Sequence, residues 1–361
     1  MKRINSLQAL RAFAFCVVLV SHCDFPRLQG ALGVSIFFVL SGFCMAINYI
    51  PRADALPSSF KGCVLFGWNR IKKLYILHVL MVFFKVFVLW GMPHTAQDYV
   101  SLVLNLLLLQ SFVPDPAVYG GYNGIAWFLS TYMFVSMAAP LVLRFASGIC
   151  TKKRLGISFA ATVGIMLIFS AISPYIISAM ALPSRPFLNY NFPPYRLLDF
   201  SLGIFLGRLY LMRDASSDGL GVISSALVAL GVVLCGVAAT LLYPRLPESI
   251  RNTLIYAPGS LLAVYLCAFS NERVQALLSW RPAVWLGDLS GHAFLIHNNA
   301  IIIVRYFLNM LEYKYGYTRS APETVAWICA SFILTIIATE LYLVIARRVR
   351  GLIQSRASAG T

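Results

Sequence analysis

Ala9-Leu10-Arg11-Ala12-Phe13-Ala14-Phe15-Cys16-Val17-Val18-Leu19-Val20-Ser21-His22 is the stretch that decides how this chain is read. It is an apolar run of helix length, yet Arg11 interrupts it and His22 closes it. Eleven residues at about 100° each return to nearly the same helix face, roughly 16 Å further along. One stripe of one helix therefore holds a permanent cation and a titratable imidazole, separated by about half a hydrocarbon core. Ionisable groups at that depth are costly and mark functional pathways.

The rest of the chain has the same character. Of its 361 residues 59% are hydrophobic, 14% aromatic and only 12% charged, outside the range of a soluble domain. The fold class expected is all-α: a polytopic integral membrane protein, one transmembrane unit over residues 1–361 with no appended soluble domain. About ten spans fit the hydropathy pattern, near 6–24, 31–50, 70–91, 124–146, 155–180, 197–213, 219–243, 252–270, 285–309 and 323–347. The segment 98–113 is apolar but short. Counting it as a span would invert every later loop against the charge bias, so a re-entrant or interfacial piece on the outer face is expected.

The net charge of +16 is distributed as short clusters between apolar runs: Lys2-Arg3, Arg70/Lys72/Lys73, Lys152-Lys153-Arg154 and Arg347-Arg348/Arg350. That is a positive-inside pattern, not a nucleic-acid footprint. It predicts both termini in the cytosol, with the loops 51–73, 147–154 and 271–281 and the tail 347–356. The segments 92–123, 181–196, 244–251 and 310–321 then face outward. Anionic lipid headgroups or the phosphates of a cytosolic cofactor suit the basic clusters. Met1-Lys2-Arg3 before an apolar run resembles a signal peptide, but Arg11 breaks the run and no cleavage site follows, so a retained helix is expected. The cysteines form neither a C-x-x-C pair nor a zinc-spaced cluster, and no metal site is predicted. The outer stretches Val118–Asn123 and Phe187–Tyr195 are rich in Tyr and Asn, which suits either a membrane interface or a platform for sugar rings.

Arg11 and His22 at this spacing, with Gly33-Val34-Ser35-Ile36-Phe37-Phe38-Val39-Leu40-Ser41-Gly42-Phe43 just behind, resemble the opening of the acyltransferase-3 family. Its members are membrane acyltransferases that modify surface polysaccharides, lipopolysaccharide, peptidoglycan and Nod factors. The family's basic patch is matched by Arg70-Ile71-Lys72-Lys73-Leu74-Tyr75, with Lys73 where Arg is more usual and no proline following. Trp127-Phe128-Leu129 is similar to its Trp-x-Leu motif, although Tyr132 stands where many members carry Glu. Arg196-Leu197-Leu198-Asp199-Phe200 with Gly203 resembles a further motif, with Asp199 for Glu. Trp285 to Ser290 and Phe294-Leu295-Ile296-His297 resemble the late motif, Gly291 and Phe294 replacing its tyrosines. The resemblance covers essentially the whole chain.

Moving an acyl group to a hydroxyl needs a base for the proton and a donor to steady the oxyanion. His22 is the expected general base, since imidazole titrates near neutral pH. A covalent acyl-imidazole and a merely hydrogen-bonded histidine stay open. His297 is expected as a second acid or base, or as the group that orients His22. Arg11 would hold the donor's phosphates or pantetheine, steady the oxyanion, or simply pair with a carboxylate such as Glu340. Arg70 and Lys73, three apart on one helix face, would grip donor phosphates, although basic residues are common at a cytosolic helix end. Trp127 would stack on donor or sugar, or pack as most helix-borne tryptophans do. Tyr122, Arg196 and Asp199 are the acceptor-side candidates, with an i, i+3 structural pair as the plainer reading of the last two. His78, His94, Cys23 and Lys85 read as structural, and Gly203-x-x-x-Gly207 as a close helix contact.

The resemblance implies an integral-membrane O-acyltransferase of the cytoplasmic (inner) membrane. Its donor would be cytosolic acyl-CoA, acetyl-CoA foremost, with no permanently bound cofactor. The acceptor would be a sugar hydroxyl of a surface or exported glycan or lipid-linked saccharide, and membrane lipids and glycan-assembly proteins would be its partners. The rival class is a glycan or lipid-linked sugar exporter or flippase without bond chemistry. It shares the bundle and buried charges but should show repeat symmetry, which this sequence lacks.

Overall fold

The computed structural model describes residues 3–23, 29–87, 92–183, 186–214, 218–315 and 321–359. Met1 and Lys2, part of the basic N-terminal cluster, lie outside them. Among the described residues, eleven helices of eleven residues or more organise the site: α1 Asn5–His22, α2 Gly30–Tyr49, α3 Phe60–Phe87, α4 Ala96–Leu106, α5 Trp127–Ser147, α6 Lys152–Ala179, α7 Pro193–Leu211, α8 Val222–Leu242, α9 Ala257–Phe269, α10 Arg281–Tyr315 and α11 Ala321–Ala359. A further helix, Glu272–Leu278, is a two-turn connector. Among the described residues there is no strand beyond an isolated bridge, Leu220 to Ser270.

Among the described residues, six helical stretches are long and apolar enough to cross a membrane: Gly30–Ala55, Trp127–Ser147, Lys152–Ala179, Val222–Arg245, Arg281–Leu311 and Thr324–Leu352. Of the other expected spans, α9 has 13 residues. The rest carry charge within the helix: Arg11 on α1, Arg70, Lys72 and Lys73 on α3, and Arg196, Asp199 and Arg208 on α7. These charged helices lie at the heart of the bundle. Helix α1 packs on α2 and α10, while α2 packs on α7.

Small residues allow that packing. A Cβ on Gly42 would collide with the Phe200 carbonyl, and one on Gly203 with the Val39 carbonyl, so α2 and α7 meet backbone to backbone. Phe15, Phe38, Phe43 and Phe200, all fully buried, fill the space around this contact. At the periphery only 11% of the apolar window of α8 is buried, as expected of a lipid-facing helix.

Two boundaries differ from expectation. Helix α3 begins at Phe60, well before the expected residue 70, so the basic patch lies within the helix and not at its end. The stretch holds no proline, and Gly62 and Gly67 cost about 1 kcal/mol each without stopping the helix. The basic segment 347–356 is likewise a continuation of α11, with Gly351 tolerated inside it. The segment 98–113 contains α4, of 11 residues, or about 16 Å, too short for a core of about 30 Å. Its buried face carries Ser101 and Asn105, and the Asn105 amide donates to the carbonyls of Ser101 (2.9 Å) and Val118 (3.0 Å).

Candidate active site

The site has two ends, joined by α1. At the N-terminal end, Arg11, Arg52 and Arg70 line one cavity of about 380 Å³ with Ser41, Tyr49 and Tyr132, and no carboxylate is among its lining residues. Tyr49 organises it: the Arg52 and Arg70 guanidinium carbons sit 4.8 and 4.7 Å from its ring centre. Buried Arg70 Nε has no hydrogen-bond partner among the described residues. Arg11 does not pair with Glu340. Its guanidinium reaches Gln8 Oε1 at 3.5 Å and Cys44 Sγ at 3.9 Å, and it makes none of the ion pairs among the described residues. Three unneutralised guanidiniums around one hollow suit a phosphate or diphosphate.

Arg11, Ser41 and Tyr132 also line a second cavity, of about 390 Å³, which runs toward Phe37, Phe128 and Phe294. Arg3 and Asp288 form an ion pair at its rim, and His292 faces into it. The hollow therefore begins cationic and turns apolar and aromatic with depth.

At the other end of α1, His22 meets His297 of α10. Their ring centres are 5.1 Å apart and the planes 74° from parallel. His22 is exposed and His297 fully buried. Each ring uses Nδ1 on a backbone carbonyl of its own helix, His22 on Val18 at 2.8 Å and His297 on Phe294 at 2.7 Å. A carbonyl can only accept, so Nδ1 carries the hydrogen and Nε2 of the neutral ring holds the basic lone pair. The structure brings together two histidines far apart in sequence and fixes both in the same tautomer.

Between the two ends stands a wall of rings. Phe37 is 5.9 Å from both Phe128 and Phe294, and Phe128 is 5.0 Å from Phe294. Phe294 lies 5.5 Å from the His297 ring, so the second cavity ends one side chain short of the histidine pair.

The other expected site residues are distributed as follows. Lys73 is exposed and lines neither arginine-end cavity, although its charge reaches His292. Trp127 lines neither cavity, and its ring lies 4.9 Å from Tyr190. Arg196 and Asp199 are wholly enclosed, paired at 2.7 Å, with Arg196 also donating to the Tyr190 carbonyl and stacked 4.8 Å from the Tyr190 ring. Tyr122 has a left-handed backbone (φ 48°) and its hydroxyl donates to the Asp98 carbonyl at 2.9 Å, which ties the 118–123 loop to α4. Sequence reasoning singled out neither Arg52 nor His292. Arg52 lies in a short 3-10 turn without periodicity, and His292 sits at an unassigned position of the late motif. The only signal for Arg52 was its place in a basic loop beside Tyr49.

The acyltransferase-3 model, described as an acyltransferase domain, matches residues 4–343. The chain is 26% identical over 343 residues to Acyltransferase MdmB of Streptomyces mycarofaciens, covering 88% of this chain and 83% of that protein. It is 23% identical over 329 residues to "Putative peptidoglycan O-acetyltransferase YrhL" of Bacillus subtilis, covering 83% of this chain and 49% of that protein. The chain thus spans about half the length of the latter. No solved structure matches.

Proposed function

Because the chain belongs to the acyltransferase-3 family and is an acyltransferase, we propose that it is an integral-membrane O-acyltransferase. In this reading it moves acetyl from cytosolic acetyl-CoA to a sugar hydroxyl of a surface or exported glycan. Ten spans and cytosolic termini accompany it, with the arginine cavity facing the cytosol and His22 facing outward in the cytoplasmic (inner) membrane. Family membership leaves the exporter reading without support.

The carrying observation is the sequence of environments along α1: three guanidiniums, an apolar hollow, a wall of rings, then a basic imidazole nitrogen. Arg11, Arg52 and Arg70 would hold the donor's phosphates while its extended arm occupies the hollow, and Phe37, Phe128 and Phe294 would part to admit the thioester. His22 Nε2 takes the proton of the acceptor hydroxyl as that oxygen attacks the thioester carbon. The C–O bond forms, the C–S bond breaks, and the imidazolium returns the proton to the departing thiolate. His297, in van der Waals contact range of His22, orients it.

The test is acetyl-CoA consumption by the purified protein in detergent, read as free thiol, with surface glycan from expressing cells weighed for acetyl increments. His22→Ala is expected to lower transfer about 10²–10⁴-fold. Transfer at the wild-type rate in that variant would overturn the mechanism.

A further inference from the structure

Arg11, Ser41 and Tyr132 line both arginine-end cavities and form a neck between them. Beyond that neck the cavity of about 390 Å³ changes character. There Phe37, Phe128, Leu129, Phe294 and Leu295 present only carbon from their side chains. The Ser290 hydroxyl on the same wall is spent on the Gly287 carbonyl at 2.7 Å. The Leu295 carbonyl already accepts from the Asn123 amide at 3.3 Å. The amides and hydroxyl of a pantetheine arm suit the neck, where polar side chains can pair with them. Against phenyl rings they would be left unpaired, which is costly. The ring-lined end therefore suits hydrocarbon.

Gly291 decides how much hydrocarbon fits. It lies three residues before Phe294 on the same face of α10, about 4.5 Å along the axis, and both line the cavity. A Cβ on Gly291 would meet only the Leu74 methyls of α3, at 3.8 and 4.0 Å, which is ordinary van der Waals contact. Gly287 on the same helix is different, since a Cβ there would strike the Gln8 carbonyl. Helix packing thus requires glycine at 287 and not at 291, although glycine inside a helix costs about 1 kcal/mol relative to alanine. The result at 291 is a notch between α10 and α3, bordered by Phe294 and walled by Leu74. Both Gly291 and Phe294 stand where the motif described above has tyrosine.

We propose that Gly291 is a specificity-determining residue whose notch takes the tail of an acyl group longer than acetyl. The length that fits is about four to six carbons, enough to run back one helical turn from a thioester at the ring wall. The proposal rests on the acyltransfer reading and widens its donor from acetyl-CoA to short-chain acyl-CoAs. The bonds made and broken are those given above.

The experiment supplies acetyl-, butyryl- and hexanoyl-CoA to membranes from cells expressing the full chain and reads free thiol. Membranes lacking the protein give the background. Butyryl- and hexanoyl-CoA are expected to be used at least as well as acetyl-CoA, compared as kcat/KM. Gly291→Ala removes a helix-interior glycine without a clash, so it should fold. It should lower the ratio of hexanoyl to acetyl use about fourfold, the equivalent of roughly one displaced methylene. Gly291→Tyr should lower that ratio tenfold or more, and a ratio is unaffected by loss of folded protein. Acetyl-CoA used in preference to both longer donors, or a ratio unchanged by either variant, would overturn the proposal and leave the acyltransfer reading standing. Thiol release at background for all three donors would overturn both.

Discussion

Arg11 and Arg196 are both arginines inside apolar helices, and they have opposite surroundings. Arg196 is fully enclosed, paired with Asp199 and held by the Tyr190 carbonyl and ring, with its Nη2 and Asp199 Oδ1 left without a hydrogen-bond partner among the described residues. Arg11 borders two cavities, has a neutral amide and a thiol for neighbours, and shares its hollow with two more guanidiniums. A buried cation whose charge is matched within the fold is part of the frame. One left unmatched beside a cavity suits an anion that comes and goes, the role the proposed reading gives Arg11.

The comparison can be broken first at the framed pair. Asp199→Ala leaves Arg196 enclosed and uncompensated, which should cost about 3–5 kcal/mol in detergent unfolding. The double change Arg196→Met, Asp199→Leu should recover much of that loss. If the single variant unfolds like the parent, the pair is not structural. Arg11→Met should behave oppositely, with stability unchanged or higher and KM for acetyl-CoA raised about 10–100-fold. Loss of stability without a KM effect would place Arg11 in the frame beside Arg196.

Arg52→Ala should raise the same KM by about tenfold and flatten its dependence on salt, leaving kcat near its parent value. A fall in kcat alone would remove Arg52 from donor binding. Phe294→Ala shortens the wall next to His297, so acceptor-independent thioester hydrolysis should rise several-fold. Unchanged hydrolysis would mean that Phe128 and Phe37 close the passage by themselves.

The smallest effect concerns the outer segment. Asp98 caps α4, accepting from the backbone N–H groups of Thr95 and His94 and from the Thr95 hydroxyl, and these bonds hold its carboxyl below the ordinary value of 3.8. A lowered folded pKa contributes stability that is complete above the ordinary value and is lost as pH falls through the lowered one. Acidification below pH ~3.8 should therefore loosen 92–123 in the parent and leave Asp98→Asn less affected, read by hydrogen exchange.

Much of this was legible in one dimension. Hydropathy placed a helix at each expected span, and the Arg11–His22 stripe identified the axis of the site. Gly203 and Gly207 read as a helix contact, and α7 meets α2 there. What was harder to read is what depends on packing between distant segments. His297 was expected beside His22 only through the resemblance, and it is the packing of α10 along α1 that brings the two rings together. Phe37 and Phe128 sit in recognisable motifs, but their role as a wall exists only once α2, α5 and α10 converge. The start of α3 was misplaced because hydropathy marks where apolar residues begin, whereas a helix continues through polar ones until a breaker stops it.

The rings of Phe37, Phe128 and Phe294 have a consequence beyond catalysis. A conduit that reaches from a charged vestibule almost to the opposite face would, if left wet, let hydronium run down the cell's electrochemical gradient. Three phenyl groups in mutual contact stand across that line. In the proposed reading the idle protein would be insulated, and each turnover would have to break that insulation briefly around a molecule that plugs the gap it opens.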